Sequence, residues 1–135
     1  MNESVKNWYA YANRDLTGAE EILNKTEQYG FVAIICQQSV EKFLKLFLAA
    51  HNIPIVKIHD LVKLNAVVNK VKDFGFDEDI LKSLSELYSK EKYPSEGDEF
   101  EFKMPTKVDA KRYFNFAKNV AQKIIGYLES VFPEE

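Results

Sequence analysis

The stretch FVAIICQQSVEKFLKLFLAAHN, residues 31–52, decides how this chain folds. When it is drawn on a helix at about 100° per residue, its apolar side chains cover an arc of roughly 200°. That arc consists of Val32, Ala33, Cys36, Val40, Phe43, Leu44, Leu46, Phe47, Leu48 and Ala50. Because the arc is wider than half of the circumference, the stretch predicts a central helix that packs against more than one neighbour.

The polar residues of this helix argue against a membrane span and provide a first candidate site. Polar positions within residues 37–42 interrupt the segment, well short of the roughly 18 apolar residues that a bilayer requires. Glu41 and Lys45 are spaced and oriented to form an ion pair, so this face, which includes Gln38, predicts a solvated stripe. The alternative is a polar patch in which Lys42 and Lys45 face a ligand or a second subunit.

Length and composition indicate one globular domain over residues 1–135, with 46% hydrophobic and 29% charged residues. The net charge of −3 gives no overall attraction to nucleic acid. Among 18 basic residues only Arg14 and Arg112 are arginine, the residue best suited to planar phosphate recognition. The single cysteine, Cys36, lies on the apolar arc and the N-terminus lacks an apolar signal segment. Both observations predict a cytoplasmic, reducing environment.

Two further segments with helical spacing flank the central helix. Residues 4–27 predict a long first helix, with Gly30 as its stop. The short connection that follows favours an antiparallel pair. After the central helix, apolar residues from Leu61 to Val71 predict a short third helix that is broken by Gly75.

The second half of the chain predicts two more helices separated by a long loop. Asp77 is placed to cap a fourth helix. Residues 90–105 show no helical spacing and predict a loop of a length that is often functional. Thr106 and Asp109 then resemble a capping box at the start of a final amphipathic helix, which runs to about residue 132.

These segments together predict the fold class. Three long and two shorter amphipathic helices, with no convincing strand, indicate an all-α protein. We expect an antiparallel up-and-down four-helix bundle with one short additional helix, the third, in a crossover.

Sequence motifs for metal, phosphate-loop and nucleophile chemistry are absent. His59 lies eight positions after His51, with a proline between them, so the two cannot share one helical face. No HExxH or Cys–His spacing occurs, and the five glycines form no phosphate-binding loop. We therefore expect no metal and no cofactor, and we interpret His51 as a partly buried structural residue.

Two other polar groups are candidates for a site. His59 beside Asp60 indicates either a helix cap and a structural histidine or an acid–base pair. Lys92 and Tyr93, next to a proline, could hold a phosphate and stack a base. Four acidic residues within 96–101 argue against a simple nucleic-acid groove there.

Several of these segments together resemble the HEPN family of small helical domains. They are Trp8, the turn at residues 12–16 with Asp15, CQQSVEKFLKLFLAAHN at 36–52, HDL at 59–61 and YSKEKYP at 88–94. The family is related to the substrate-binding subunit of nucleotidyltransferases and to the C-terminal part of kanamycin nucleotidyltransferase. The resemblance implies a four-helix bundle, usually a homodimer, that often pairs with a small separate nucleotidyltransferase in a toxin–antitoxin-like module.

The resemblance also bears on catalysis. Many relatives are metal-independent ribonucleases with an Arg, four to six intervening residues and then a His. Neither Arg14 nor Arg112 is followed by histidine at that distance. Lys92, Tyr93 and Pro94 stand where relatives of this subgroup tend to have Arg-Tyr-Pro, and Lys lacks the bidentate fork of Arg.

The resulting hypothesis is a non-catalytic HEPN-type subunit that binds a nucleotide, RNA or the substrate of a nucleotidyltransferase partner. Its candidate ligand-binding residues are Lys42, Lys45, His59, Asp60, Lys92 and Tyr93. The alternatives are a ribonuclease toxin with a degenerate active site, using His59 and Lys92, and a purely structural dimerisation module.

Overall fold

The computed structural model describes residues 2–55, 57–92 and 104–133. These residues form five helices and no strand, which confirms the predicted all-α class. The helices are α1 (Glu3–Lys25), α2 (Tyr29–Ala50), α3 (Leu61–Asn69), α4 (Glu78–Lys92) and α5 (Lys107–Val131). None of them is long and apolar enough to cross a membrane.

Helix α2 lies at the centre, as the width of its apolar arc predicts. It packs against each of the other four helices, and Phe43, Leu44 and Phe47 are completely buried. Cys36 is also completely buried, and burial raises the pKa of its thiol to about 12. It is therefore a small core residue, since the reactive thiolate is suppressed.

Of the two other long helices that pack on α2, α1 runs antiparallel to it and α5 runs parallel to it. The hydroxyl of Ser39 in α2 donates a buried hydrogen bond of 3.0 Å to the carbonyl oxygen of Ala12 in α1. With Lys45 over the Trp8 ring, this contact sets α1 antiparallel to α2. The C-terminal end of α5 lies beside the C-terminal end of α2, because the rings of His51 and Tyr127 are in contact there.

Three predicted helix starts are confirmed by their caps. Asp60 accepts hydrogen bonds from two backbone amides of α3, and Asp77 does the same for α4. Thr106 and Asp109 form the reciprocal capping box at the start of α5. Each cap pairs amides that would otherwise lack a partner in the first turn.

The predicted boundary at Gly30 is wrong. Helix α1 ends at Lys25, because the hydroxyl of Thr26 donates to the carbonyl oxygen of Ile22 at 2.7 Å and its backbone is extended. Gly30 lies inside the first turn of α2, where it is buried. The C-terminal end of α1 is therefore capped by Thr26 and not by Gly30.

Two later boundaries also differ from the prediction. Helix α3 ends at Asn69, so Val71 lies beyond it and is 45% exposed. Gly75, with a φ of 71°, belongs to the following loop, where it adopts the left-handed conformation. Helix α4 continues to Lys92, so residues 90–92 of the predicted loop are helical, and residues 93–103 lie outside the described part.

His51 packs in an aromatic cluster where α2 and α5 end. Its ring lies 4.5 Å from that of Phe47 and 5.1 Å from that of Phe132, measured between ring centroids. Its Nε2 atom is buried without a hydrogen-bond partner, and burial lowers the pKa of the imidazole. His51 is thus a packing residue, and its surroundings disfavour the protonated imidazole.

Replacing His51 by Phe is expected to flatten the acid side of the stability profile. Because the pKa is lowered in the folded state, the unfolded chain binds more protons as the pH falls below about 6.5. The free energy of unfolding of the wild type should fall there, by at most about 1.4 kcal/mol per pH unit for one group. Urea denaturation of both proteins across this range measures the difference. Parallel profiles would contradict the assignment.

Candidate functional site

Polar side chains of α1 and α2 meet in a network that the segment before α3 completes. We call this network the polar seam. Its members are Arg14, Asp15, Gln37, Glu41, Lys42, Lys45 and His59. It contains three of the six predicted ligand-binding residues: Lys42, Lys45 and His59.

Asp15 is the first centre of the polar seam. It lies on the apolar stripe of α1 and is only 7% exposed, so its carboxylate needs partners. Lys42 of α2 donates to Oδ2, and Nη2 of Arg14 lies 3.2 Å from Oδ1. One buried carboxylate therefore holds two cations side by side.

Glu41 is the second centre. Its carboxylate accepts hydrogen bonds from Nε2 of Gln37 at 3.1 Å and from Nζ of Lys45 at 3.0 Å. Nδ1 of His59 lies 3.4 Å from both of its oxygens. On the other side, Nζ of Lys45 lies 5.9 Å from the centroid of the Trp8 ring, within range of a cation–π contact. Glu41 thus contacts the Nδ1 edge of the exposed His59 ring and orients the ring.

The prediction of a solvated stripe on α2 is wrong, although its Glu41–Lys45 ion pair is present. Lys45 is only 6% exposed, and the side chain of Glu41 is 15% exposed. Their spacing within α2 is local and predicts the pair. Their burial comes from Trp8 and from the segment that carries His59, which lie on distant parts of the chain.

The polar seam has more positive than negative charge. Three basic side chains, Arg14, Lys42 and Lys45, are paired there with two carboxylates, Asp15 and Glu41. This local surplus stands out in a chain whose net charge is −3.

The remaining predicted residues take other positions. Asp60 directs its carboxylate to the amides of Val62 and Lys63, at 2.9 and 3.2 Å, and so acts as the cap of α3. Lys92 is the last residue of α4. The side chain of Lys92 and the whole of Tyr93 lie outside the described residues.

Sequence reasoning gave no role to Arg14, Asp15 or Gln37. Asp15 carried a detectable signal, because it interrupts an otherwise apolar stripe between Ala12 and Ala19, and a charged residue there must find partners. The place of Arg14 in the site follows only from its ion pair with the Asp15 carboxylate. Gln37 is 1% exposed and carried no signal, since its burial depends on neighbouring helices.

The described part of the chain contains no cluster of metal-binding side chains beside the polar seam. Within residues 2–55, 57–92 and 104–133, no cluster of three or more His, Cys, Asp or Glu side chains could hold an ion. The polar seam consists of carboxylate–cation pairs that the side-chain amide of Gln37 supports.

Comparisons with known proteins agree with the helical architecture. The HEPN domain model matches residues 5–128, which is most of the chain. This protein belongs to the HEPN domain family. No curated protein matches it.

Two solved structures are similar over nearly the whole chain. The first is the crystal structure of ST0689, an archaeal HEPN homologue, with 25% identity and a TM-score of 0.67 over 95% of this chain and 99% of that one. The second is the crystal structure of TT1696 from Thermus thermophilus, with 20% identity and a TM-score of 0.67 over 93% and 98%. The second likeness shows the fold alone.

Replacing Asp15 by Ala is expected to lower the free energy of unfolding by about 2 kcal/mol, because Lys42 then lacks its carboxylate partner in a mostly buried position. Chemical denaturation provides the measurement. The control is Glu21→Gln, which removes the exposed ion pair between Glu21 and Lys25 and should cause no measurable change. Equal effects of the two substitutions would show that Asp15 does not hold the seam together.

Proposed function

We propose that this HEPN domain is a non-catalytic binding subunit that recognises a phosphate-bearing ligand, a nucleotide or RNA, at the polar seam. The observation that carries the proposal is the surplus of positive charge around Asp15 and Glu41. Binding requires that cations be both available and held in place. Asp15 holds Arg14 and Lys42 in place, and Arg14 is the exposed member of that group. Glu41 pairs with Lys45 and contacts Nδ1 of His59.

Arg14 supplies the planar donor that Lys cannot. Its side chain is 63% exposed, and its guanidinium lies 4.8 Å from the centroid of the Tyr11 ring. Nε and Nη2 face Asp15, which leaves the other guanidinium N–H groups for phosphate oxygens. Tyr11, 51% exposed, offers a ring on which a base could stack.

The proposal also includes partners and location. Residues 36–52 and 59–61 resemble the HEPN family, which is related to the substrate-binding subunit of nucleotidyltransferases. This resemblance supports a small nucleotidyltransferase as partner, in a toxin–antitoxin-like module. It also supports self-association as a homodimer. A cytoplasmic location fits such ligands and the free thiol of Cys36.

Arginine replacement tests the site. Isothermal titration with ATP, GTP and short RNAs is expected to show binding that weakens about tenfold in Arg14→Gln, which loses the charged donor of one phosphate contact. The matched control is Arg112→Gln, which removes the chain's only other arginine from an exposed position on α5. This control should bind like the wild type, and binding should weaken with salt.

Two outcomes would contradict the proposal. One is the absence of binding to any of these ligands, with or without a nucleotidyltransferase partner, which would favour the structural dimerisation module. The other is an equal loss in both arginine variants, which would place the ligand away from the polar seam.

A second candidate function is metal-independent ribonuclease activity, and the geometry of His59 favours it. The side chain is 70% exposed while Glu41 faces its Nδ1. This is the arrangement in which a carboxylate orients an acid–base histidine. If this function exists, pure protein will cleave RNA in EDTA, and His59→Ala will abolish cleavage. If the wild-type protein leaves the RNA intact, the ribonuclease function is excluded and only the proposed binding function remains.

A further inference from the structure

The outer side of α5 is a strongly basic surface. Between residues 107 and 126 this helix contains five basic residues and one acidic residue, in a chain whose net charge is −3. The acidic residue, Asp109, accepts a hydrogen bond from the backbone amide of Thr106 in the capping box, so its carboxylate is already engaged. We call the surface formed by the five basic residues the basic face, and it spans about 24 Å at 1.5 Å per residue. All five are exposed: Lys107, Lys111, Arg112, Lys118 and Lys123.

The fold does not neutralise the basic face. Among the described residues, none of its five side chains takes part in an ion pair. Nζ of Lys123 donates to the carbonyl oxygen of Phe74 at 3.4 Å and lies 5.9 Å from the centroid of the Phe76 ring. The other four basic side chains make no hydrogen bond within the described part of the chain. Four cations are therefore available to a partner from solution.

The placement of charges on α5 differs from that on α2. On α2, Glu41 precedes Lys45 by four residues, and the two form an ion pair. On α5, the residues with this spacing are Lys107 and Lys111, which carry the same charge and repel each other. The stability of the helix does not explain this arrangement, whereas an anionic partner would relieve the repulsion.

The other side chains of the basic face favour a polypeptide over a nucleic acid. Asn115, Asn119 and Gln122 are exposed there, and each side-chain amide contains an acceptor oxygen as well as donors. A phosphate backbone offers chiefly acceptors, which leaves those amide oxygens unmatched. An acidic polypeptide supplies carboxylates for the cations and backbone N–H groups for the amide oxygens. Residues 107–126 also expose no aromatic ring on which a base could stack.

We infer that the basic face of α5 docks an acidic segment of another protein, one rich in Asp and Glu. Lys107, Lys111 and Lys118 lie within about 40° of one another around the helix at 100° per residue. A row of carboxylates on the partner can therefore contact all three lysines at once. Because the contact is electrostatic and exposed to solvent, its affinity should decrease as salt is added.

The basic face and the polar seam lie on different sides of α1. Val5 and Tyr9 of α1 line a groove with Ile125 of α5. Asp15, roughly 120° around α1 from Tyr9 at 100° per residue, contacts Lys42 of α2 instead. Docking at α5 therefore does not depend on the proposed function, and the two kinds of binding can be measured separately.

Titration of the full chain with fluorescently labelled poly-L-glutamate tests the basic face. Anisotropy at low ionic strength should show binding to the wild type that weakens as salt is added. The double variant Lys111→Gln, Lys118→Gln should bind about fivefold more weakly, since each exposed ion pair contributes little by itself. Lys111→Arg with Lys118→Arg keeps both charges and should bind like the wild type.

The matched control is the double variant Lys63→Gln, Lys70→Gln. It removes two exposed lysines at α3 and so gives the same net charge as the α5 variant. This control should bind poly-L-glutamate like the wild type. Circular dichroism verifies that each variant is folded.

Each result supports or overturns docking at the basic face. Failure of the wild type to bind poly-L-glutamate overturns it, and so does an equal loss in both glutamine variants. Tighter binding of a short RNA duplex or of phosphatidylserine vesicles, lost only in the α5 glutamine variant, overturns the polypeptide as occupant. ATP titration of the same proteins distinguishes these failures from failure of the polar seam.

Discussion

Burial of α2 on all sides is the constraint on which the rest of the structure depends. Phe43, Leu44 and Phe47 are completely covered only because helices on several sides contribute to the cover. This arrangement brings the polar flank of α2 into contact with α1 and with the segment before α3. Lys42, Lys45 and Glu41 therefore become ordered, because their neighbours reduce access to water while supplying charged partners.

Local signals made the helices predictable from sequence. The caps Asp60, Asp77 and Thr106 act within three residues of their own positions, so sequence spacing contains nearly all of the information they need. Gly30 failed as a stop because two residue types competed for the end of α1. The hydroxyl of Thr26 donates to the carbonyl oxygen of Ile22 in the last turn of α1, four residues before Gly30. Glycine permits a helix to end but does not require it.

The site was less predictable because its contacts join distant parts of the chain. The spacing of Glu41 and Lys45 predicts their pairing, whereas the burial of Lys45 requires Trp8 to lie across from it. The role of Arg14 depends on Asp15, and that of Asp15 on the alignment of α1 with α2. Membership of the HEPN family accounts for the architecture, whereas the pairing of the charges in the polar seam becomes visible only in the folded chain.

The hydrogen bond from Ser39 to Ala12 has a mechanical consequence. It ties the middle of α1 to the middle of α2, so sliding of α1 along its own axis would leave a buried hydroxyl without a partner. The same contact therefore fixes the register that brings Asp15 of α1 to Lys42 of α2, each one turn further along its own helix.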